Sequence, residues 1–340
     1  MSRLLRLRNV LVIAGIAIAV AIPSLLNFYY QSLATGAAIT ALMALSLVVL
    51  MGFVGQVSFC QFSFAVLGAM TVGSLVAGHG VNFWVAMLLG TVFAVVAGVL
   101  VGIPALRLRG LLLAILTVGV ALFVDNFVLA PGIWDGFSGG ANGWSLADIG
   151  FPSLFGAKLN YYTFYLFVLG VLLLAVLLVW NLRTGKVGRV LRAIRDSDVA
   201  ASTLGLNVPA WKLAAFALSA GLAGLAGTLF AVNDMSVSGG PASAYNFQHS
   251  VQLVASLTVF GTGLIFSAPL VGVFLIFAPW ALDHTPLSHQ WFPLFLGALL
   301  VAQLVYTPDG VLTKTQRDLK HLGHVLSRRR HVEPSIVRAA

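Results

Sequence analysis

The feature that most constrains this chain is a succession of apolar runs, near residues 10–30, 33–51, 59–77, 83–104, 111–130, 161–180, 211–232, 248–265, 268–282 and 291–306, bounded by turn residues or charges. Roughly 20 apolar residues span a bilayer. The 340 residues are 59% hydrophobic and 9% charged, far more apolar than a soluble domain uses. A soluble globular enzyme is excluded. The pattern predicts an all-α fold: a polytopic integral membrane helical bundle of about eight to ten transmembrane segments, ten being the best count. The runs starting near 59, 248 and 268 are interrupted or short, as helices are when they break or tilt to line a path. A broken helix is expected near residues 52–60.

Charge sets the orientation. Arg3, Arg6 and Arg8 precede the apolar run Val10 to Ile22, and Ala19 and Ala21 form a small-x-small pair that a signal peptidase accepts. Further apolar segments follow at once, so the first run reads as an uncleaved anchor with its arginines in the cytoplasm. Ten crossings then place 18 of the 19 Lys and Arg residues inside, Lys158 alone lying outside. This divides the chain into a transmembrane region over 1–310 and a basic cytoplasmic tail over 311–340. It also makes 183–210 a cytoplasmic loop and 131–160 an extracytoplasmic one. The basic residues flank apolar runs, so they point to membrane lipid and topology, with no nucleic acid as partner. Cys60 is the single cysteine, which excludes an intramolecular disulfide and paired-cysteine metal sites.

Signatures of catalysis are missing: there is no phosphate-binding G-x-x-x-x-G-K-[ST], no H-E-x-x-H and no G-x-S-x-G. No catalytic, cofactor-binding or metal-ligating residue is assigned. Gly221, Gly224 and Gly227, with alanines four residues before each, make the small-xxx-small pattern of closely packed membrane helices. The 183–210 loop carries more information. Val187, Val190, Leu191 and Ile194 recur at helical spacing with Arg189, Arg192 and Arg195 on the other face, which predicts a short cationic amphipathic helix. Asp196 or Ser197 then caps a second short helix containing Asp198, Ala200 and Ala201, and Gly205 with Pro209 stops it.

These residues carry a resemblance. The string GRVLRAIRDSDVAASTLGLNVPAWKLAAFALSAGLAGLAGTLFA, beginning at Gly188, resembles the cytoplasmic loop region of LivM-like permease subunits of branched-chain amino acid ABC importers. Its Val199 to Gly205 is similar to the E-A-A-x-x-x-G element of importer permeases, with Val199 in place of the Glu that LivM-like chains commonly lack too. GQVSFCQFSF at 55–64, PALRLRGLLLAILT at 104–117 and SGGANGWS at 138–145 follow in the family's order. Gln61 stands where the family often has a histidine, and Met70 where it often has an aromatic residue.

The resemblance implies a translocation subunit, not an enzyme, in the bacterial cytoplasmic (inner) membrane with both termini cytoplasmic. Its partners would be a homologous permease subunit in a heterodimer, two ABC ATPase subunits that bind ATP and Mg, and an extracytoplasmic solute-binding protein; this chain itself carries no cofactor. The cargo would be a branched-chain or other hydrophobic amino acid, with urea, short amides or small carboxylates as alternatives. Arg192, Arg195, Asp196, Ser197, Asp198, Ala200, Ala201 and Gly205 become the ATPase-coupling loop, with Ala200 and Ala201 keeping one face slim enough to enter a cleft.

Gly55, Gln56, Ser58 and Gln61 are candidates for the translocation path. Glycine permits an unwound turn there, and the Gln56 amide and Ser58 hydroxyl either repair freed backbone groups or meet a polar solute. Ser138, Gly139, Gly140, Asn142 and Gly143 form a turn-rich outer segment, where the family reading places the binding protein and the bland reading a tight turn. Asp125 is a carboxylate in an apolar run, which makes it a proton-relay candidate; its place near the outer end of that run suits an interfacial residue better. An ion-coupled secondary transporter or channel for a small polar solute is the competing class, and would use Asp125 for coupling.

Overall fold

The structure is a computed structural model describing residues 27–311, apart from 109, 131, 148–149, 155–156, 239–245, 287 and 308–309. The arginines before residue 10, most of the first apolar run and nearly all of the basic tail lie outside the described residues. Helix α1 (Phe28–Leu47) continues into a π-helical turn, Val48–Val54, and six non-helical residues separate it from α2 (Gln61–Val72), which ends in a second π turn, Gly73–Gly78. Next come α3 (Phe83–Ala105) and α4 (Leu111–Phe123), the latter continued by the π turn Val124–Val128. After a loop come α5 (Tyr161–Thr184), α6 (Lys186–Asp196), α7 (Asp198–Thr203) and α8 (Val208–Asn233). The last three are α9 (Phe247–Phe260), α10 (Ser267–Asp283) and α11 (Phe292–Tyr306).

Among the described residues, 6 helices are long and apolar enough to cross a membrane, so the chain is a multi-pass helical membrane protein. The last three apolar runs form helices of 14, 17 and 15 residues. At about 1.5 Å per residue, the shortest of these falls well below a hydrocarbon core of about 30 Å.

Burial separates the long helices into two classes. The apolar window of Phe28–Val54 is 94% buried, whereas those of α3 and α4 are each 28% buried and offer Leu, Val, Ile and Phe side chains to their surroundings. The centre consists of α1, α2 and α8, and small residues decide how closely these approach. A Cβ on Gly227 would strike the Ala65 backbone of α2, and one on Gly224 would strike Ala94 of α3. Lipid is as apolar as leucine, so no hydrophobic force pulls such helices together; close van der Waals contact and buried hydrogen bonds do it instead. One such network joins all three central helices. Ser46 Oγ donates to Gln61 Oε1 (3.0 Å), Gln61 Nε2 donates to Ser219 Oγ (3.1 Å), and Ser219 Oγ donates to the Ser46 carbonyl (2.8 Å).

Helix α5 has 24 residues, about 36 Å of rise, so the loops before and after it stand at opposite ends of the bundle. The α3–α4 connection shares the end that carries α6 and α7, because Leu106 shares a small cavity with Asp198, Ser202 and Lys212. At the other end, β1 (Trp144–Ser145) pairs antiparallel with β4 (Ser236–Val237), and β2 (Ser153–Leu154) with β3 (Ala157–Lys158).

Candidate functional site

The non-helical stretch begins at Gly55, whose left-handed backbone (φ +75°) ends the π turn as few other residues could without strain. The chain then runs back along the bundle until Gln61 lies level with Ser46. Backbone donors freed inside a membrane protein must find partners. The Phe59 N–H donates to Thr117 Oγ1 of α4 (3.1 Å) and the Phe62 N–H donates to Ser250 Oγ of α9 (3.2 Å). Neither partner was marked by any pattern in the sequence, because a lone hydroxyl in an apolar run carries no signal of its long-range contact.

The four path candidates separate. Gln61 is wholly buried with both ends of its amide taken by serines. Ser58 is also wholly buried and lies 3.3 Å from Cys60 Sγ. Gly55 and Gln56, by contrast, line a cavity of about 560 Å³ between the break, the start of α4 and the α6–α7 segment. Gln56 is 8% exposed, and its buried Oε1 has no hydrogen-bond partner among the described residues.

The loop helices form as their sequence dictates. Helix α6 turns Leu191 and Ile194 inward and leaves Arg189 and Arg192 exposed, while Arg195, also partly exposed, reaches toward the π turn that ends the first span. Arg192 Nε donates to the Gly188 carbonyl (2.9 Å) and its Nη2 to the Arg183 carbonyl (3.3 Å), fixing the corner with α5. Of the two residues expected to cap α7, Ser197 does so: its hydroxyl accepts from the Ala200 N–H at 3.2 Å. Gly205 follows the helix in the left-handed region (φ +78°). Asp198 pairs with Lys212 of α8 (2.6 Å), a largely buried ion pair that binds α7 to a transmembrane helix. Breaking such a pair by removing one partner costs about 3 kcal/mol where burial is substantial, and less where water reaches it.

One expectation for α7 is corrected. Ala201 does not lie on an outward slim face: it is 1% exposed and packs with Ile194 and Val208. Ala200 is exposed, as are Val199 (63%) and Leu204 (77%). The helix spends one alanine on its own bed, because a six-residue helix has no other way to hold its position.

Arg195 joins the two halves of the site. Its Nη1 donates to the Gly52 carbonyl in the π turn ending the first span, and its aliphatic stem lies against Gly55. A side chain on Gly52 would collide with the Thr262 carbonyl in the α9–α10 connection, so three elements converge at that residue. The Arg195 contact was invisible in the sequence, where Arg195 read only as part of a charged face.

At the opposite end, the glycine-rich segment is consumed by its own packing. Ser138 is wholly buried, and its hydroxyl accepts from the Gly140 N–H at 3.3 Å. Gly139, Gly140 and Gly143 all have positive φ, and a Cβ on Gly143 would meet the Val237 carbonyl. Trp144 lies flat on Gly73 and Gly78 and donates from Nε1 to the Phe137 carbonyl (2.9 Å). Of the five residues proposed there, only Asn142 is exposed.

Asp125 lies near the end of the span Leu111–Val128 and is 5% exposed, and its Oδ2 accepts from the Phe247 N–H at 2.7 Å. A carboxylate at a helix N-terminus satisfies an orphan donor and complements the helix dipole. Among the described residues no group of three or more His, Cys, Asp or Glu side chains is placed to hold a metal ion.

A family model described as the permease component of branched-chain amino acid transport systems matches residues 29–304. The high-affinity branched-chain amino acid transport system permease protein LivM of Salmonella typhimurium (strain LT2) is 29% identical over 337 residues, covering 92% of this chain and 77% of the relative. LivM of Escherichia coli (strain K12) matches with the same identity and coverage. No solved structure matches.

Proposed function

The chain belongs to the branched-chain amino acid transport permease family, and from that premise we propose that it is one permease subunit of an ATP-driven importer in the bacterial inner membrane. It works beside a homologous permease, two ATPase subunits that bind ATP and Mg, and an extracytoplasmic solute-binding protein. The 183–210 loop faces the cytoplasm and the 131–160 loop the outside, with both termini cytoplasmic. The cargo is a branched-chain or similar hydrophobic amino acid.

The observation that carries this reading is the bond from Arg195 to the Gly52 carbonyl. Coupling requires that a partner's movement at the cytoplasmic surface reach the membrane helices. Helix α7 presents Val199 and Leu204 outward, an apolar pair that suits an ATPase cleft. It is held to α8 through Asp198 and Lys212, and α6 is held to the first span through Arg195. When the ATPases close on ATP, α6 and α7 move as a unit and the Arg195 contact carries that movement to the π turn and the break after it. Asp125 Oδ2 caps α9 at the Phe247 N–H while Oδ1 is buried without a hydrogen-bond partner among the described residues, so the ion-coupled reading is separated from this one by whether uptake needs ATP or an ion gradient.

The test is uptake of labelled L-leucine into proteoliposomes containing both permeases and the ATPases, with the binding protein supplied outside and ATP enclosed. ATP-dependent accumulation is expected, and its absence with a fully assembled complex would overturn the reading.

A further inference from the structure

Helix α9 differs from its neighbours in what it turns away from the bundle, and its contacts fix its depth. The Phe247 N–H at its start meets Asp125 within the span Leu111–Val128, and Ser250 accepts from the Phe62 N–H at the start of α2. At its other end, Phe260 leads into the connection whose Thr262 carbonyl approaches Gly52 in the first span. Its 14 residues rise about 21 Å, between those levels and so within a hydrocarbon core of about 30 Å. Ser250, Leu253, Val254 and Leu257 are buried against the bundle. On the other side Gln248 and Val251 are exposed, and Gln252 and Ala255 are half-buried. These four recur at helical spacing and make one open stripe.

The open sides of α3 and α5 carry what lipid accepts: Leu88, Leu89 and Val92 on the first, and Leu174, Leu177 and Leu178 on the second. The stripe on α9 carries two amides one turn apart instead, and among the described residues neither side chain has a hydrogen-bond partner. An amide turned toward hydrocarbon gives up its hydrogen bonds to water and receives none in return. Lipid does not suit this face, and water does. We propose that Gln248, Val251, Gln252 and Ala255 line the hydrated path by which the polar cargo crosses the membrane, the second permease supplying the far wall. Each amide offers an oxygen that accepts and a nitrogen that donates. Both ends of an amino acid therefore find partners, and since neither glutamine carries a charge, neither end is held too tightly to leave. Val251 and Ala255 leave room beside them for an aliphatic side chain. This places the path on α9 rather than at the wholly buried Ser58 and Gln61. The cargo and the second permease rest on the transport reading above; the wet face rests on α9 itself.

The experiment uses the assembled complex of both permeases and the ATPases in proteoliposomes. Gln248→Cys and Gln252→Cys are treated with a charged, membrane-impermeant methanethiosulfonate supplied on both sides, and the label on this chain is read by mass spectrometry. The native Cys60 is buried, and Leu177→Cys, on the open side of α5, serves as the lipid-facing control. Both glutamine positions should take the label and the control should resist it. Labelling at either position should then stop ATP-dependent leucine uptake with the ATPases still attached. Gln252→Leu removes one amide from the path and should lower uptake by about fivefold, with the thermal midpoint of the permease pair unchanged. Resistance to the charged reagent at both glutamine positions, equal to that of the control, would overturn the proposal, as would labelling at both that leaves uptake intact. If the wild-type complex shows no ATP-dependent uptake, the importer reading falls by itself, and the labelling pattern still decides whether this face meets water.

Discussion

The two loops that flank α5 invite comparison, since both carry glycines, short ordered elements and polar side chains, and both looked like docking surfaces. The outer segment around Ser138 to Gly143 turns its features inward, with buried Ser138, glycines pressed on neighbouring backbone and Trp144 seated against Gly73 and Gly78. The 183–210 loop keeps a thin bed of Ile194, Ala201 and Val208, and turns Val199 and Leu204 outward. One loop is built to stay closed on the bundle. The other leaves an apolar pair uncovered and bonds to the first span through Arg195, the arrangement on which the proposed coupling rests.

That contrast is most open to attack at the outward apolar pair. A Val199→Asp, Leu204→Asp double variant should lose the ATPases on co-purification and with them all ATP-dependent uptake, while inserting in the membrane normally; retained ATPases would remove α7 as the docking helix. Arg195→Met should leave the ATPases bound yet lower uptake by about tenfold or more, since it deletes a charged hydrogen bond of about 1.5–3 kcal/mol on which transmission depends. Uptake equal to wild type would show that the Gly52 contact carries no movement.

At the closed loop the expected effect is on stability. Trp144→Ala leaves a void over Gly73 and Gly78, at a cost of about 3–5 kcal/mol, readable as a lower thermal midpoint of the purified permease pair; an unchanged midpoint would mean that the outer end is not held by this tryptophan. Smallest of all, Asn142→Cys should change uptake little, since its side chain is exposed. With Cys60 buried, a membrane-impermeant thiol reagent should label this variant from outside and Arg192→Cys only from inside. Labelling of both from one side would reverse the assignment of the two ends.

Much of the loop was legible before the structure. The helical spacing of Val187, Val190, Leu191 and Ile194 marked α6, and Ser197 and Gly205 marked the limits of α7, because caps and amphipathic faces are local properties of a few consecutive residues. The direction in which Ala201 points was not legible, since both faces of a six-residue helix read alike until something packs beneath one. Gln61 and Gln56 teach the same lesson within one segment. Two amides five residues apart looked equivalent, yet one is saturated by Ser46 and Ser219, and the other belongs to a residue at the cavity wall, its oxygen buried without a hydrogen-bond partner among the described residues.

By itself, then, the sequence determined the medium and the class of fold: long apolar runs exceed what any soluble core absorbs, and in a bilayer each such run must satisfy its own backbone, which leaves helices. It also determined where small residues let helices close up, since the absence of a side chain at Gly224 and Gly227 is written in the chain. Tertiary structure alone decided which polar groups meet. The bonds from Arg195 to Gly52, from Phe59 to Thr117 and from Phe247 to Asp125 connect residues 143, 58 and 122 positions apart. Pairing at such separations depends on how whole helices pack, and no local pattern of side chains encodes it.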